Sequence, residues 1–92
     1  MNNEFEWDPE KAISNFEKHG VTFEEAASVF FDPLSITIND PKHSIRESRF
    51  IIIGHSILRR ILVVIHTDRS DKIRIISGRP ATTSEKRNYE RE

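Results

Sequence analysis

Two Asp-Pro steps, Asp8-Pro9 and Asp32-Pro33, with Gly20 between them, fix where regular structure begins and ends in the first third of this 92-residue chain. Proline has no backbone N–H to give and disfavours helix at the residue before it, so each step is a boundary. Asp8 is a good N-cap, Pro9 suits the first helical turn, and Glu10 sets acid near the positive helix end. Gly20 stands where a left-handed C-terminal cap is needed, with Lys18 and His19 in the last turn. The spacing predicts a short helix between these limits, with Ala12, Ile13 and Phe16 as a narrow apolar stripe. Phe16 and Trp7 are both expected in the core, Trp7 closing a short strand over residues 4–7. Thr22 with Glu25 has capping-box spacing, and Val21 with Ala26 has staple spacing. Phe23, Ala26, Ala27 and Phe30 form the core stripe of a second helix, which Asp32-Pro33 stops.

From Leu34 the hydrophobic period changes from that of a helix to two. Leu34, Ile36 and Ile38 alternate with Ser35, Thr37 and Asn39, as in a half-buried strand. A loop follows over residues 40–44, then three strands are expected over residues 47–55, 60–67 and 72–79. Their short connections favour an antiparallel meander. The runs Phe50 to Ile53 and Ile61 to Ile65 are apolar on both faces, as in central strands covered on both sides. Pro80 ends the last strand, and Thr82 or Thr83 caps a short polar helix reaching Tyr89. The expectation is one α+β domain over residues 1–92: an antiparallel sheet of about four or five strands, two N-terminal helices on one face and a short C-terminal helix.

Composition narrows the chemistry. No cysteine is present, which excludes disulfides and thiolate metal sites. No apolar run has membrane-spanning length and the N-terminus has no signal-peptide pattern, so a cytoplasmic protein without membrane contact is expected. Metal-dependent hydrolysis lacks a ligand motif, a serine nucleophile lacks its G-x-S-x-G setting, and the three glycines are too isolated to cradle a phosphate. The charge is divided. Residues 1–45 hold 3 Lys and Arg against 9 Asp and Glu, and residues 46–92 hold 11 against 6. An acidic helical half joined to a basic strand half suggests two surfaces with different partners.

Strand alternation predicts which side chains share a face. In the third strand Glu47, Arg49, Ile51, Ile53 and His55 are expected together. In the fourth, Arg60, Leu62, Val64 and His66 point one way. In the fifth, Ile73, Ile75, Ser77 and Arg79 point one way and Arg74 and Ile76 the other. Cations gathered at strand ends can grip an RNA backbone through bidentate Arg–phosphate contacts. Arg59, His66, Arg69 and Arg74 are the candidates for binding substrate. Each candidate has a duller reading: Glu47 and Arg49 as a same-face ion pair, His66 as a packed strand residue, His43, His55 and Arg69 as solvated groups, His19 as a helix-terminus residue.

The segment FEWDPEKAISNFEKHGVTFEEAASVFFDP, residues 5–33, resembles the start of the BrnT-like toxins, small ribonucleases of bacterial type II toxin–antitoxin pairs related in fold to the RelE toxins. The resemblance continues through Asp40 and His43, Glu47 and Arg49, Ile53-Gly54, Arg60, IRIISGR over residues 73–79, Ala81-Thr82 and Tyr89-Glu90. It departs at Arg59, where the family often has the glycine of a tight turn. The resemblance implies a RelE-like fold and metal-free RNA cleavage without a cofactor. His43, Glu47, Arg49, Arg60 and Arg79 are then the catalytic candidates. It also implies a BrnA-like ribbon-helix-helix antitoxin, contact with operator DNA only through that antitoxin, and a homodimer within the complex. The alternative is a non-catalytic RNA- or protein-binding module of the same fold.

Overall fold

The structure, a computed structural model, describes residues 4–43 and 47–91. Strand β1 (Glu4–Glu6) leads into helix α1 (Pro9–His19) and helix α2 (Phe23–Ser28), which tightens into a 3₁₀ turn at Val29–Phe31. Strand β2 (Ile36–Asn39) and a 3₁₀ turn at Pro41–His43 follow, then strands β3 (Arg49–His55), β4 (Ile61–Arg69) and β5 (Lys72–Pro80), and helix α3 (Thr83–Glu90). The sheet order is β1-β5-β4-β3-β2. Strands β2 to β5 pair antiparallel, as the short loops require, but β1 adds to the outer edge of β5 in parallel. The sheet is therefore mixed, and the meander expected from the loops holds for four of its strands.

Local chemistry places the helix ends where the sequence puts them. The Asp8 carboxylate accepts from the Glu10 N–H at 2.9 Å, and Gly20 adopts φ 71° while its N–H reaches the Phe16 carbonyl at 2.8 Å. Thr22 caps α2 by accepting from the Glu25 N–H at 3.0 Å. The reciprocal half of that capping box is missing, because the Glu25 side chain is turned into the protein. The complete box forms instead on α3, between Thr82 and Glu85.

The first helix departs from expectation. Ile13 is 62% and Phe16 52% exposed, and the residue that α1 buries is Asn15. Its amide donates to the carbonyls of Val21 and Gly78 at 3.0 and 2.9 Å, and its oxygen accepts from the Gly78 N–H at 3.1 Å. Three bonds to backbone satisfy a buried amide that would otherwise be costly. They fix α1 against β5, where Gly78 lets Ala26 and Val21 approach the strand. In α2 the 3₁₀ turn brings Val29 into the core beside Phe23 and Ala26. These pack with Val21, Ile52, Leu62, Val64 and Ile75 on one face of the sheet; Trp7, partly buried, meets the Phe23 ring edge-on at 5.8 Å.

The second face carries a smaller cluster. Ile61, Val63, Ala81 and Tyr89 are buried there, with Ile36, Ile51 and Ile53 packed against them. Helix α3 thus covers one end of the face opposite α1 and α2, and β4 is buried on both sides over most of its length.

The β3–β4 turn resolves the departure at Arg59. The Arg59 N–H bonds the Ser56 carbonyl at 2.9 Å, the Ser56 N–H bonds the Arg60 carbonyl at 2.8 Å, and Arg59 has φ 67°. This is a three-residue hairpin loop whose last residue must be left-handed. Arginine adopts the backbone that glycine would supply at lower cost.

Candidate nucleic-acid interface

A β-bulge decides which charges meet. Along β4 and β5, Ile65 pairs with Ser77 but the next residue, His66, pairs with Ile75, so Ile76 is extra. One inserted residue resets the alternation. Ile73 and Ile75 then face α1 and α2, whereas Ser77 and Arg79 turn to the other side. The strict alternation expected over Ile73, Ile75, Ser77 and Arg79 is broken here, and Arg74 falls on the side of Arg79 instead of opposite it. The register places Arg49, Thr67, Arg74 and Glu6 in one row across four strands. Glu47 lies one row beyond, with its carboxylate 3.9 Å from Arg69.

Five of the sequence candidates therefore share the face opposite α1 and α2: Glu47, Arg49, Arg69, Arg74 and Arg79. Arg74 bonds Glu6 at 3.2 Å. Arg79 makes a two-pronged pair with Glu85 at 2.8 and 2.9 Å, which brings the Glu85 carboxyl down to about 2. An isoleucine strip separates the Arg49 row from α3. Ile36, Ile38, Ile51, Ile53 and Val63, with Glu85 and Tyr89 of α3, line a groove of about 370 Å³ there.

The remaining candidates lie elsewhere. Arg60 sits on the helix-covered face, as alternation predicts with Leu62, Val64 and His66. There it binds Glu25 through two nitrogens, one at 3.0 Å, and the Gly20 carbonyl at 3.1 Å. Glu25 is buried and also accepts from Ser56 at 2.7 Å. The Arg60 bond, outweighing burial, holds its carboxyl below the usual range. His66 is buried, stacked on Phe50 and edge-on to Phe30. Burial pushes its pKa down, against a weaker upward pull from Asp68, which favours the neutral ring. Arg59 is exposed at its turn. His43 closes the turn Pro41–His43, and its side chain lies outside the described part.

The structure also brings together a group that sequence reasoning did not single out. Tyr89 of α3 donates to the Asp32 carboxylate at 2.5 Å, and its oxygen lies 3.1 Å from His55 Nδ1. Asp32 further accepts from the N–H groups of His55 and Leu34, at 2.8 and 2.9 Å. Burial pushes the Asp32 carboxyl up, but these three bonds together bring it below its ordinary value. The Tyr89 hydroxyl is pushed up to about 12, by burial first and by Asp32 next. Gly54 makes the contact possible, since a Cβ there would fall 2.9 Å from the Asp32 carboxylate. The three side chains are far apart in sequence, so no local spacing announces them.

Such an arrangement is a small five-stranded sheet with α1 and α2 on one face and, on the other, rows of charge, an apolar groove and the C-terminal helix. A family model for the ribonuclease toxin BrnT of type II toxin–antitoxin systems matches residues 7–85, and the chain belongs to that family. A family of toxins paired with antitoxins implies an antitoxin partner. Among solved structures, the chain is similar to the Brucella abortus ribonuclease toxin BrnT, with a TM-score of 0.70 and 21% identity. The match covers 89% of this chain and 100% of that one, and shows that the fold is shared. No curated protein sequence matches the chain. Among the described residues no helix is long and apolar enough to cross a membrane, and no three potential ligands gather into a metal site.

Proposed function

We propose that this chain is a metal-independent RNA endonuclease, the toxin of a type II pair, which arrests translation by cutting RNA in the cytoplasm. Residues 1–92 act as one toxin domain. The observation that carries this reading is the shared face of Glu47, Arg49, Arg69, Arg74 and Arg79, in a member of a ribonuclease toxin family. Arg49 and Arg74 in one row, with Arg69 one row beyond, suit a single-stranded backbone, and the isoleucine strip offers an apolar surface for bases. Cleavage needs a base to take the 2′-hydroxyl proton, cations for the charge growing on phosphate, and an acid for the leaving 5′-oxygen. The products are a 2′,3′-cyclic phosphate and a 5′-hydroxyl. Arg79 suits the charge, Arg49 lies four residues along β3 from its row and suits the backbone of another nucleotide, and Glu47 and His43 are sequence candidates for the proton transfers. The partner is a BrnA-like ribbon-helix-helix antitoxin, which carries the complex to operator DNA, and the toxins pair with themselves as a homodimer within that complex.

One observation favours the second reading, a binder without catalysis. Arg60, Arg69, Arg74 and Arg79 each already face a carboxylate, so a phosphate must displace one to be gripped. Purified protein incubated with single-stranded RNA in EDTA separates the two. Cleavage to cyclic-phosphate ends is the expected result; a gel shift with intact RNA supports the binder. Activity that disappears with EDTA and returns with magnesium or manganese rejects the metal-free mechanism.

A further inference from the structure

His55, Tyr89 and Asp32 form a chain of contacts in which the position of each proton can be deduced. Tyr89 has one hydroxyl hydrogen, and the ionised Asp32 carboxylate at 2.5 Å takes it. The Tyr89 oxygen is then left as an acceptor, so His55 Nδ1, at 3.1 Å, must be the donor. A neutral imidazole that carries its proton on Nδ1 keeps the lone pair on Nε2. Asp32 lies 3.8 Å from Nδ1, and helps to hold the ring this way round. The backbone N–H of His55 already bonds Asp32, so the link between α3 and the sheet does not need the imidazole.

The ring is half-exposed and lines a cleft of about 400 Å³ with Ser28, Phe31, Asp32, Ser56 and Ile57. Arg59, on the adjoining turn, carries no ion pair among the described residues. His55 stands on the face that carries Arg49 and Arg79, at the opposite end of β3 from Arg49. At roughly 3.3 Å per residue these ends are about 20 Å apart, and the cleft opens at the rim of the sheet, with Ser28 and Phe31 of the covered side as its far wall.

We propose that His55 is the general base of RNA cleavage, with Nε2 facing the 2′-hydroxyl of a nucleotide seated in this cleft and with Tyr89 and Asp32 as its positioning residues. This rests on the ribonuclease reading above. The 2′-hydroxyl proton passes to Nε2, and the 2′-oxygen bonds to phosphorus. The bond from phosphorus to the 5′-oxygen breaks with its electron pair on that oxygen, which takes a proton from solvent water. Arg59 is placed to meet the phosphate.

The test uses the full chain, a 5′-labelled single-stranded RNA oligonucleotide and EDTA throughout. His55→Ala is expected to lower kcat by about 10²–10³-fold with little change in KM. Added imidazole, which fills the space left by the ring, is expected to restore part of the rate to His55→Ala and none to wild type. Tyr89→Phe keeps the ring but removes its acceptor, and is expected to lower kcat about tenfold with KM unchanged. An equally fast His55→Ala overturns the proposal. So does a slow His55→Ala that imidazole fails to rescue, whatever its melting temperature, because that assigns His55 to structure. Wild type that binds the RNA and leaves it whole removes the ribonuclease reading, and this proposal with it.

Discussion

The two faces of the sheet use polar groups in opposite ways. On the helix-covered face they are few and buried: Asn15 is committed to three backbone groups and Glu25 to Arg60 and Ser56, while His66 packs between two aromatic rings with neither ring nitrogen hydrogen-bonded among the described residues. On the opposite face the ion pairs are partly exposed, and each joins groups that water can also reach: Glu47 with Arg69, Glu6 with Arg74, Glu85 with Arg79. Buried pairs are destabilising when broken, because the survivor keeps its charge without water. Exposed pairs are worth little to the fold, so they can open for a ligand at small cost. Two arginines at neighbouring strand ends, Arg60 and Arg79, therefore belong to different problems.

The largest expected effect sharpens that division. Arg79→Ala should cost roughly 3–4 kcal/mol of transition-state stabilisation, a rate loss of about 10²–10³-fold. Its melting temperature should move little, because an exposed pair contributes about 0–1 kcal/mol. Arg60→Ala should do the reverse. It leaves the buried Glu25 carboxylate without its cation and lowers stability by about 2 kcal/mol, less than the roughly 3–5 of a fully buried pair. Thermal melts and cleavage rates on the same preparations check both. An Arg60→Ala protein that melts like wild type yet fails to cut RNA breaks the comparison.

A second effect, of similar size on stability, probes the covered face alone. Asn15→Ala removes three bonds and leaves the Gly78 N–H and two carbonyls buried without partners. The expected loss is on the order of 3 kcal/mol in denaturant unfolding. Ile13→Ala and Phe16→Ala, on the same helix, should change stability by less than 1 kcal/mol, because both side chains are more than half exposed. Equal losses at Asn15 and Phe16 would contradict the way α1 is seated.

Much of this layout was legible in the sequence, because helix boundaries are local chemistry. Asp8-Pro9, Gly20, Thr22 and Thr82 each work as caps. The switch of period at Leu34 marks the start of the strands, although β2 itself begins at Ile36. What failed was not local. An apolar stripe at Ile13 and Phe16 says that a helix is amphipathic, not which neighbour waits for it, and the buried asparagine answers to a glycine 63 residues away. The parity of β5 failed at Ile76 because a bulge depends on the partner strand. That error hid the shared face of Arg74 and Arg79. Asp32 reads as a helix stop and Tyr89 as a helix end, and only the folded chain joins them at His55.

The smallest expected effect comes from His66, and it separates the two faces by pH. Its folded pKa is lowered below 6.5 by burial, with Asp68 pulling weakly upward and Phe30 and Phe50 enclosing the ring. In the unfolded chain the imidazole binds a proton more readily than in the folded protein. Stability therefore rises with pH across the interval between the two pKa values. The contribution is fully present above about pH 6.5, the ordinary histidine value, and is lost as pH falls from there through the folded pKa. Urea midpoints of wild type should drop between pH 7.5 and 5.5. His66→Phe keeps a ring between Phe30 and Phe50 but cannot titrate, so its midpoints should fall less over the same interval. Every other group is common to both proteins, and the difference between the two curves isolates His66. Wild-type midpoints that fall less than those of His66→Phe would mean that the ring is already protonated in the folded state, with Asp68 as its partner. The covered face would then hold a charge after all.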